Sequence, residues 1–115
     1  APHVAYTMAK YGMSLCVLGM AREFEDRGIA VNALWPRTVI ATAALRMLGD
    51  AVDPKNCRSP AIMADAAHAV LSASPSARSG EFLIDEDVLR AQGVTDFERY
   101  AIEPGQPLAP DLFLD

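Results

Sequence analysis

The chain has 115 residues, of which 51% are hydrophobic and 22% are charged, and its formal net charge is −5 at pH 7. This length and composition are typical of one modest folded domain and exclude a disordered segment. The acidic balance offers no electrostatic footprint for nucleic acid or for an anionic membrane, and the sequence holds no apolar run of about eighteen residues that could span a bilayer. We therefore expect neither a nucleic-acid partner nor a membrane partner.

The two cysteines, Cys16 and Cys57, form neither a disulfide framework nor a metal-ligand spacing. We therefore expect no metal and a cytoplasmic location. The sequence opens without an initiator methionine and reaches a helical pattern within a few residues. We expect it to be the C-terminal portion of a longer protein, with a processed product as the alternative.

The first predicted element is a helix from about residue 7 to residue 27. Its apolar residues recur at helical spacing, at Met8, Tyr11, Leu15, Leu18 and Phe24. Gly28 stands where a C-terminal cap needs a residue that accepts positive φ. A ridge of small residues at offsets of three and four predicts close approach of another helix or of backbone; its members are Ala9, Gly12, Cys16 and Gly19.

Tyr6 and Lys10 stand at the start of this helical pattern, four residues apart. On a helix, residues at this offset project from the same face, so a phenol and an ammonium can address one bound molecule. An ammonium beside a phenol stabilises the phenolate, which suits the tyrosine to proton transfer near neutral pH. The alternative is an incidental pair on a surface helix.

A short apolar strand is predicted over residues 29–34, and Trp35 and Pro36 end it. Ligands of open α/β sheets bind at the carboxyl ends of strands, so the residues just past Leu34 are a candidate site. The segment from residue 37 to residue 59 is mixed and lid-like. It could form a helical turn or two over residues 41–48, and residues 49–56 form a polar loop.

A second helix is predicted with Ser59 as its N-cap and Pro60 at its first position, continuing to about residue 74. Its apolar stripe consists of Met63, Ala67, Val70 and Leu71. His68 lies off that stripe, which favours a solvated helix residue over a ligand.

A second short strand is predicted over residues 81–84, followed by the acidic run 85–87. Three adjacent carboxylates could bind a divalent cation, but a solvated loop or a negatively charged helix start is favoured because no further ligands stand at metal-binding spacing. The tail over residues 92–115 has neither a helical nor a strand pattern. Its apolar end predicts docking against the body or against another subunit.

Three spaced features together resemble the C-terminal half of a short-chain dehydrogenase/reductase. They are Tyr6-x-x-x-Lys10, the strand end Asn32-Ala33-Leu34-Trp35-Pro36, and the strand that follows Ser79-Gly80. The amino-acid sequence of residues 5–14, 32–38 and 111–114 is most similar to the hydroxysteroid dehydrogenase-like branch. Bacterial relatives of this branch are sometimes labelled citronellol or citronellal dehydrogenases.

This resemblance implies an α/β fold, namely the C-terminal part of a doubly wound Rossmann fold with a parallel sheet. Residues 1–115 would form the C-terminal portion of a single Rossmann-type domain, with residues 92–115 as an extended tail. The cofactor would be NAD or NADP, the substrate a small apolar alcohol or carbonyl compound, and the assembly a homo-oligomer.

The resemblance also implies roles for individual residues. Tyr6 would be the catalytic acid/base, and Lys10 would assist it and hydrogen-bond the nicotinamide ribose. The loop that follows the first strand would contact the cofactor carboxamide through its backbone; its members are Pro36, Arg37, Thr38 and Val39. Trp35 and His3 are candidate substrate contacts.

The chain departs from the family pattern in the loop after Pro36. Arg37 stands where the family usually has glycine, and Ala41 stands where it tends to have threonine, with Thr42 one position later. Arginine or lysine after the proline is itself associated with the hydroxysteroid dehydrogenase-like branch.

The family's glycine-rich phosphate loop and catalytic serine would fall upstream of Ala1, so we expect these 115 residues alone to be inactive. The main alternative is a non-catalytic binding or oligomerisation module derived from the same fold. A third reading, an unrelated small α/β domain, would make the three spaced matches accidental.

Overall fold

The computed structural model describes residues 4–45 and 52–111. These residues form three α-helices and two strands, in the order α1 (Val4–Glu23), β1 (Ala33–Trp35), α2 (Ala61–Ser72), β2 (Phe82–Ile84) and α3 (Asp85–Ala91). Single 3₁₀ turns lie at Glu25–Arg27, Pro54–Asn56 and Glu98–Tyr100. Among the helices within these ranges, none has the length and apolarity that a membrane span requires.

The chain divides into two compact units. The first comprises Ala1–Leu34 and Ala73–Leu83, and the second comprises Trp35–Ser72 and Ile84–Asp115. Helix α1 belongs to the first unit, whereas helices α2 and α3 belong to the second and pack against each other there.

Helix α1 starts at Val4 rather than near residue 7, and it ends at Glu23. A Schellman-type pair of hydrogen bonds then terminates the helical segment. The Gly28 N–H donates to the Glu25 carbonyl at 3.1 Å, and the Ile29 N–H donates to the Phe24 carbonyl at 3.3 Å. Gly28 has a φ of 72°, so its predicted role as a left-handed cap is confirmed.

Strand β1 is shorter than predicted, because it begins at Ala33 and not at residue 29. The N–H of Ile29 is used to close the preceding helix, which removes that residue from the sheet. The Asn32 side chain then bridges the two segments: its Oδ1 accepts from the Glu81 N–H at 3.1 Å, and its Nδ2 donates to the Arg78 carbonyl at 3.3 Å. The predicted strand end at Trp35-Pro36 is confirmed.

The two strands form a two-stranded sheet. The Gly80 N–H donates to the Val31 carbonyl at 2.7 Å, and the Ala33 N–H donates to the Glu81 carbonyl at 2.9 Å. The partners advance in the same direction along both segments, which is the pattern of parallel pairing. Since α2 lies between β1 and β2 in the chain, the predicted α/β class with a parallel sheet is confirmed.

Helix α2 begins at Ala61, and the Ser59 hydroxyl accepts from the Ala61 N–H at 3.2 Å, as expected of an N-terminal cap. The predicted apolar stripe is wrong by one position. Ile62 and Ala66 are the fully buried residues of this helix, whereas Leu71 is 83% exposed. Burial on α2 follows the face that packs on α3. His68 is exposed, as predicted.

The tail docks on the body of the second unit as far as it is described. The Asn56 side chain donates to the Pro107 carbonyl at 2.6 Å, and the Ala109 N–H donates to the Asn56 carbonyl at 2.8 Å. Tyr100, which is 3% exposed, donates its hydroxyl to Asp65 Oδ2 at 2.6 Å. The turn at Glu98–Tyr100 corrects the expectation that the tail lacks all helical structure, while residues 112–115 lie outside the described residues.

Within the predicted lid, residues 43–45 form one 3₁₀ turn. Residues 46–51 lie outside the described residues, so the prediction of a helical turn or two over 41–48 is only partly covered. The polar loop predicted over 49–56 ends in the turn Pro54–Asn56, whose N-cap Asp53 accepts from the Lys55 N–H at 3.0 Å.

The register of α2 can be tested by a pair of substitutions. Ile62→Ala is expected to lower the free energy of unfolding by roughly 3 kcal/mol, because it leaves a cavity in the buried face. Leu71→Ala removes an exposed side chain and should change it by about 0.5 kcal/mol or less. Urea denaturation of both variants measures the difference. Equal losses would show that the helix buries the face predicted from the sequence.

Candidate functional site

The residues predicted to carry function lie in both units. Tyr6 and Lys10 belong to the first unit, whereas Trp35 and the loop over residues 36–39 belong to the second. His3 lies outside the described residues. Each unit therefore carries its own set of candidate residues.

Tyr6 and Lys10 come together on α1. The Lys10 Nζ lies 5.3 Å from the centroid of the Tyr6 ring, within the range of a cation–π contact. Tyr6 is 46% exposed and Lys10 is half-buried, so both heads are accessible in this chain. The expectation that the spacing places a phenol and an ammonium on one helix face is met by this geometry.

The rest of α1 presents an unusually exposed apolar surface. Met8 and Leu15 are each 69% exposed, and Ala21 is the one buried residue of the helix as described. A Cβ added at Gly12 or Gly19 would meet no atom within 4 Å in the described part of the chain. The close approach predicted for the small-residue ridge therefore stays a prediction.

The loop that follows β1 is held on one edge by three other segments. The Arg37 N–H donates to Asp85 Oδ1 at 3.0 Å, and the Arg37 carbonyl accepts from the Asp111 N–H at 3.0 Å. The Val39 N–H donates to the Ala109 carbonyl at 3.0 Å, and its carbonyl accepts from the Arg58 N–H at 3.0 Å. Thus both backbone groups of Arg37 and of Val39 are used within the second unit.

The opposite edge of the same segment carries the backbone groups of Thr38 and Ile40. Thr38 sits in an antiparallel bridge with Pro110, and Ile40 sits in a parallel bridge with Arg58. In both bridges the hydrogen bonds come from the flanking residues 37, 39 and 41, so the N–H and C=O of Thr38 and Ile40 point the other way. Among the described residues, none forms a backbone hydrogen bond with them. Thr38 is 4% exposed, whereas Ile40 is half-buried.

In the second unit, Asp85 is a buried residue that binds the loop after β1. It lies at the first position of α3, directly after β2, and it is 0% exposed. Its Oδ1 accepts from the Glu86 N–H at 2.7 Å as well as from the Arg37 N–H. Burial raises the pKa of the Asp85 carboxyl, and the two backbone N–H donors and the charge of Arg58 oppose that rise.

Ion pairs surround Asp85. Glu86 pairs with Arg58 at 2.8 Å and with Arg37 at 3.2 Å, and Asp87 pairs with Arg37 at 2.8 Å. The Arg58 side chain is 6% exposed, so its pair with Glu86 is shielded from solvent, whereas the Arg37 side chain is 44% exposed. The guanidinium of Arg58 also lies 5.5 Å from the Phe97 ring centroid. The Arg37 guanidinium is thus engaged by the start of α3.

In residues 4–45 and 52–111, no group of three or more His, Cys, Asp or Glu side chains could hold a metal ion. The acidic run 85–87 is the start of a helix, as one of the two predictions had it, but Asp85 is buried and not solvated. Cys16 is exposed and Cys57 is buried; both are free, and burial raises the pKa of the Cys57 thiol.

Three residues of the second unit were missed from the sequence, namely Asp85, Arg58 and Ile40. Asp85 was visible only as one of three adjacent carboxylates. Its position directly after a strand was the available signal, since side chains at strand ends are candidates for site residues. No local pattern marked Arg58 or Ile40.

Comparison with known proteins supports a dehydrogenase relationship. No family model matches the chain. The chain is 59% identical over 113 residues to Hydroxysteroid dehydrogenase-like protein 2 of Danio rerio and 54% identical over 113 residues to the Homo sapiens protein of that name. Each match covers 98% of this chain but 27% of the relative, so the chain spans about a quarter of the length of these curated relatives.

Solved structures agree with the sequence comparison. A candidate dehydrogenase from Xanthomonas campestris matches with a TM-score of 0.90 and 57% identity, over 96% of this chain and 40% of that one. A short chain dehydrogenase from Mycobacterium thermoresistibile matches with a TM-score of 0.86 and 49% identity, over 97% of this chain and 40% of that one. The predicted resemblance and the predicted Rossmann-type fold class are confirmed.

The raised pKa of Asp85 makes a prediction about stability. A carboxyl whose pKa is higher in the folded state stabilises the fold while it is protonated, and this contribution is lost as pH rises from its ordinary value of 3.8 through the raised value. Asp85→Asn keeps an oxygen acceptor and cannot ionise. We expect it to be at least as stable as the parent at pH 7, with the difference shrinking toward pH 4.

Thermal unfolding midpoints measured from pH 4 to pH 8 check this expectation. Asp87→Asn is the matched control, because its carboxylate lies on the same helix turn and is 57% exposed. A clear loss of stability for Asp85→Asn at pH 7, with no such loss for Asp87→Asn, would contradict the expected sign.

Proposed function

Since the chain is similar to short-chain dehydrogenases in sequence and in fold over nearly its whole length, we propose that it forms part of an NAD(P)-dependent oxidoreductase. The reaction would interconvert an alcohol and a carbonyl by hydride transfer, with a small apolar alcohol or carbonyl compound as the substrate. The observation that carries this proposal is the pairing of Tyr6 and Lys10 on one accessible face of α1, with 5.3 Å between the Lys10 Nζ and the Tyr6 ring centroid.

In this proposal Tyr6 is the catalytic acid/base. Its hydroxyl gives a proton to the carbonyl oxygen during reduction, or takes one from the alcohol during oxidation. The ammonium of Lys10 stabilises the phenolate form that Tyr6 passes through, and it can donate hydrogen bonds to ribose hydroxyls. The bound nicotinamide cofactor supplies or accepts the hydride.

The second unit supplies a backbone edge that suits the cofactor carboxamide. A primary amide offers one acceptor and one donor group, and an extended residue offers an N–H and a C=O on the same side. The loop residues assigned to the cofactor are Pro36, Arg37, Thr38 and Val39. To these we add Ile40 and favour it for this contact, because it is half-buried whereas Thr38 is 4% exposed. The backbone groups of Arg37 and Val39 are already bonded within the chain.

The proposal also covers the substrate contact, the compartment and the assembly. Trp35, which is half-buried at the end of β1, is the candidate contact for an apolar substrate, together with His3. The two free thiols among the described residues fit a reducing, cytoplasmic compartment. The exposed apolar face of α1 supports a homo-oligomer in which this face is covered.

That same face favours one alternative function, a non-catalytic assembly module. Such a module would need the apolar face of α1 but would have no use for Tyr6 and Lys10. The two functions are therefore separated by substitutions at this pair.

Tyr6→Phe is expected to lower kcat by about 10²- to 10⁴-fold, because it removes the proton-transfer group and leaves the ring in place. The variant is made in the longer oxidoreductase of which this chain is proposed to form part. Turnover is measured at steady state with NADH or NADPH and an apolar aldehyde or ketone, and cofactor affinity is measured by titration of tryptophan fluorescence. Cofactor affinity should change by less than about threefold, as expected when only the reacting group is lost.

Tyr11→Phe is the matched control, since Tyr11 lies on the same helix and is 56% exposed. It should leave turnover unchanged. Equal activity of the parent and Tyr6→Phe would contradict the assigned role of Tyr6, whereas no turnover by the parent itself would favour the assembly module.

We also expect the 115 residues alone to show no dehydrogenase activity. The sequence contains no glycine-rich phosphate-binding turn of the dinucleotide-binding type, so the cofactor would lack its pyrophosphate contacts. Assaying the purified chain with NADH and NADPH checks this. Cofactor-dependent turnover by the chain alone would show that the missing contacts are not required.

A further inference from the structure

The backbone of the loop after β1 is fixed from one side by groups that are distant in sequence. Asp85 holds the Arg37 N–H, the tail holds the Arg37 carbonyl and the Val39 N–H, and Arg58 holds the Val39 carbonyl. Two of these three restraints are ordinary backbone pairing. The third is a carboxylate with no exposed surface, which accepts a charge-assisted hydrogen bond from the first residue after Pro36.

The restraint at Arg37 differs from the others in its position. It acts directly after the strand ends, where the chain leaves the sheet and where the family resemblance places a flexible glycine. Arg37 and Val39 must face Asp85 and the tail for Thr38 to face the opposite edge. Successive residues of this segment direct their backbone groups to alternate edges, starting with Arg37. If the Arg37 N–H lost its hydrogen bond, the peptide group at this first position would be free to rotate.

The surroundings of Asp85 indicate that its place is set by the fold. Its backbone begins α3, Val88 and Leu89 on the same helix are buried, and α3 packs on α2. The carboxylate cannot move to solvent without moving this helix. A rigid acceptor on a buried helix start is the kind of support that holds a binding loop in one geometry.

We propose that Asp85 is a positioning residue for the cofactor-binding loop: its hydrogen bond to the Arg37 N–H orients the loop so that Ile40 presents its backbone groups to the nicotinamide carboxamide. This inference rests on the proposed function. Asp85 itself contacts no reacting atom. The side chain of Arg37 contributes by pairing with Glu86 and Asp87, which keeps it on the α3 side of the loop.

Asp85→Ala is the first test, made in the longer enzyme. It is expected to raise the KM for the cofactor about tenfold while kcat changes less than about threefold, because a loosened loop lowers binding more than chemistry. Asp85→Asn retains an acceptor for the Arg37 N–H and should restore the KM to within about twofold of the parent. A purely electrostatic role of the carboxylate would leave Asp85→Asn as impaired as Asp85→Ala, which would overturn the proposal.

Amide hydrogen exchange gives a readout that does not depend on turnover. Without cofactor, the amides of Arg37 and Val39 should exchange slowly and that of Ile40 quickly. Addition of NADH or NADPH should protect Ile40. In Asp85→Ala, the Arg37 amide should become fast, and the protection of Ile40 by cofactor should weaken.

Tyr100→Phe is the control for general destabilisation. It removes a part-buried hydrogen bond of the same unit, from the Tyr100 hydroxyl to Asp65, without touching the loop. It should leave the cofactor KM and the Arg37 amide unchanged. An equal rise of KM in Tyr100→Phe would show that loss of stability, and not of loop position, is responsible.

Arg37→Pro provides a second route if Asp85→Ala does not fold. It deletes the same N–H donor while Asp85 remains, and it should also raise the cofactor KM. Unchanged KM in both variants, or a fast Arg37 amide in the parent, would overturn the proposal even if the enzyme is active. Failure of the parent to bind NADH and NADPH at all would instead refute the proposed function, and this inference with it.

Discussion

The buried carboxylate of Asp85 is the point on which the second unit depends. It stands where β2 passes directly into α3, and it serves as acceptor for the N–H of its own helix and for the N–H of a loop 48 residues away. Burying a carboxylate is costly, and the raised pKa of Asp85 reflects that cost. Two charge-assisted hydrogen bonds and the nearby charge of Arg58 offset it. The result ties a strand end, a helix start and a loop to one position.

The segments around this carboxylate are held mainly through backbone groups. The backbone of residues 37–39 pairs with the tail, and the backbone of residues 39–41 pairs with Arg58. Arg58 is in turn bridged to Ala101. Such pairing makes the loop after β1 an extra, irregular strand rather than a free lid. Because hydrogen bonds in an extended segment alternate from one edge to the other, use of one edge for the fold leaves the other edge for a ligand.

Helix α1 contrasts with this unit, since its local sequence fixes the helix but the described chain does not bury it. Most of its large apolar side chains are exposed, including Met8, Leu15 and Leu18. An isolated helix of this length draws little stability from propensity alone, and two internal glycines lower it further. The stability of α1, and with it the placement of Tyr6 and Lys10, therefore depends on a surface that covers the apolar face.

The sequence predicted what local patterns control. The helix, strand, helix, strand order, the left-handed Gly28, the strand end at Pro36 and the pairing of Tyr6 with Lys10 all follow from spacing and turn chemistry. The predictions were wrong where a contact between residues distant in sequence determines the local structure. Ile29 is taken from the strand by helix closure, the buried face of α2 is chosen by α3, and one of three adjacent carboxylates is buried because an N–H from residue 37 meets it. Arg37 is a further position where contacts distant in sequence decide the local conformation. A glycine there would lower the cost of many backbone conformations, whereas the exposed pair of Arg37 with Asp87 favours a single one by about 0.2 to 1 kcal/mol, and Arg37 also pairs with the half-buried Glu86. The side chain and the N–H of Arg37 are both held by the start of α3, so ion pairs and a buried acceptor restrict the backbone conformations that a glycine would allow at this position.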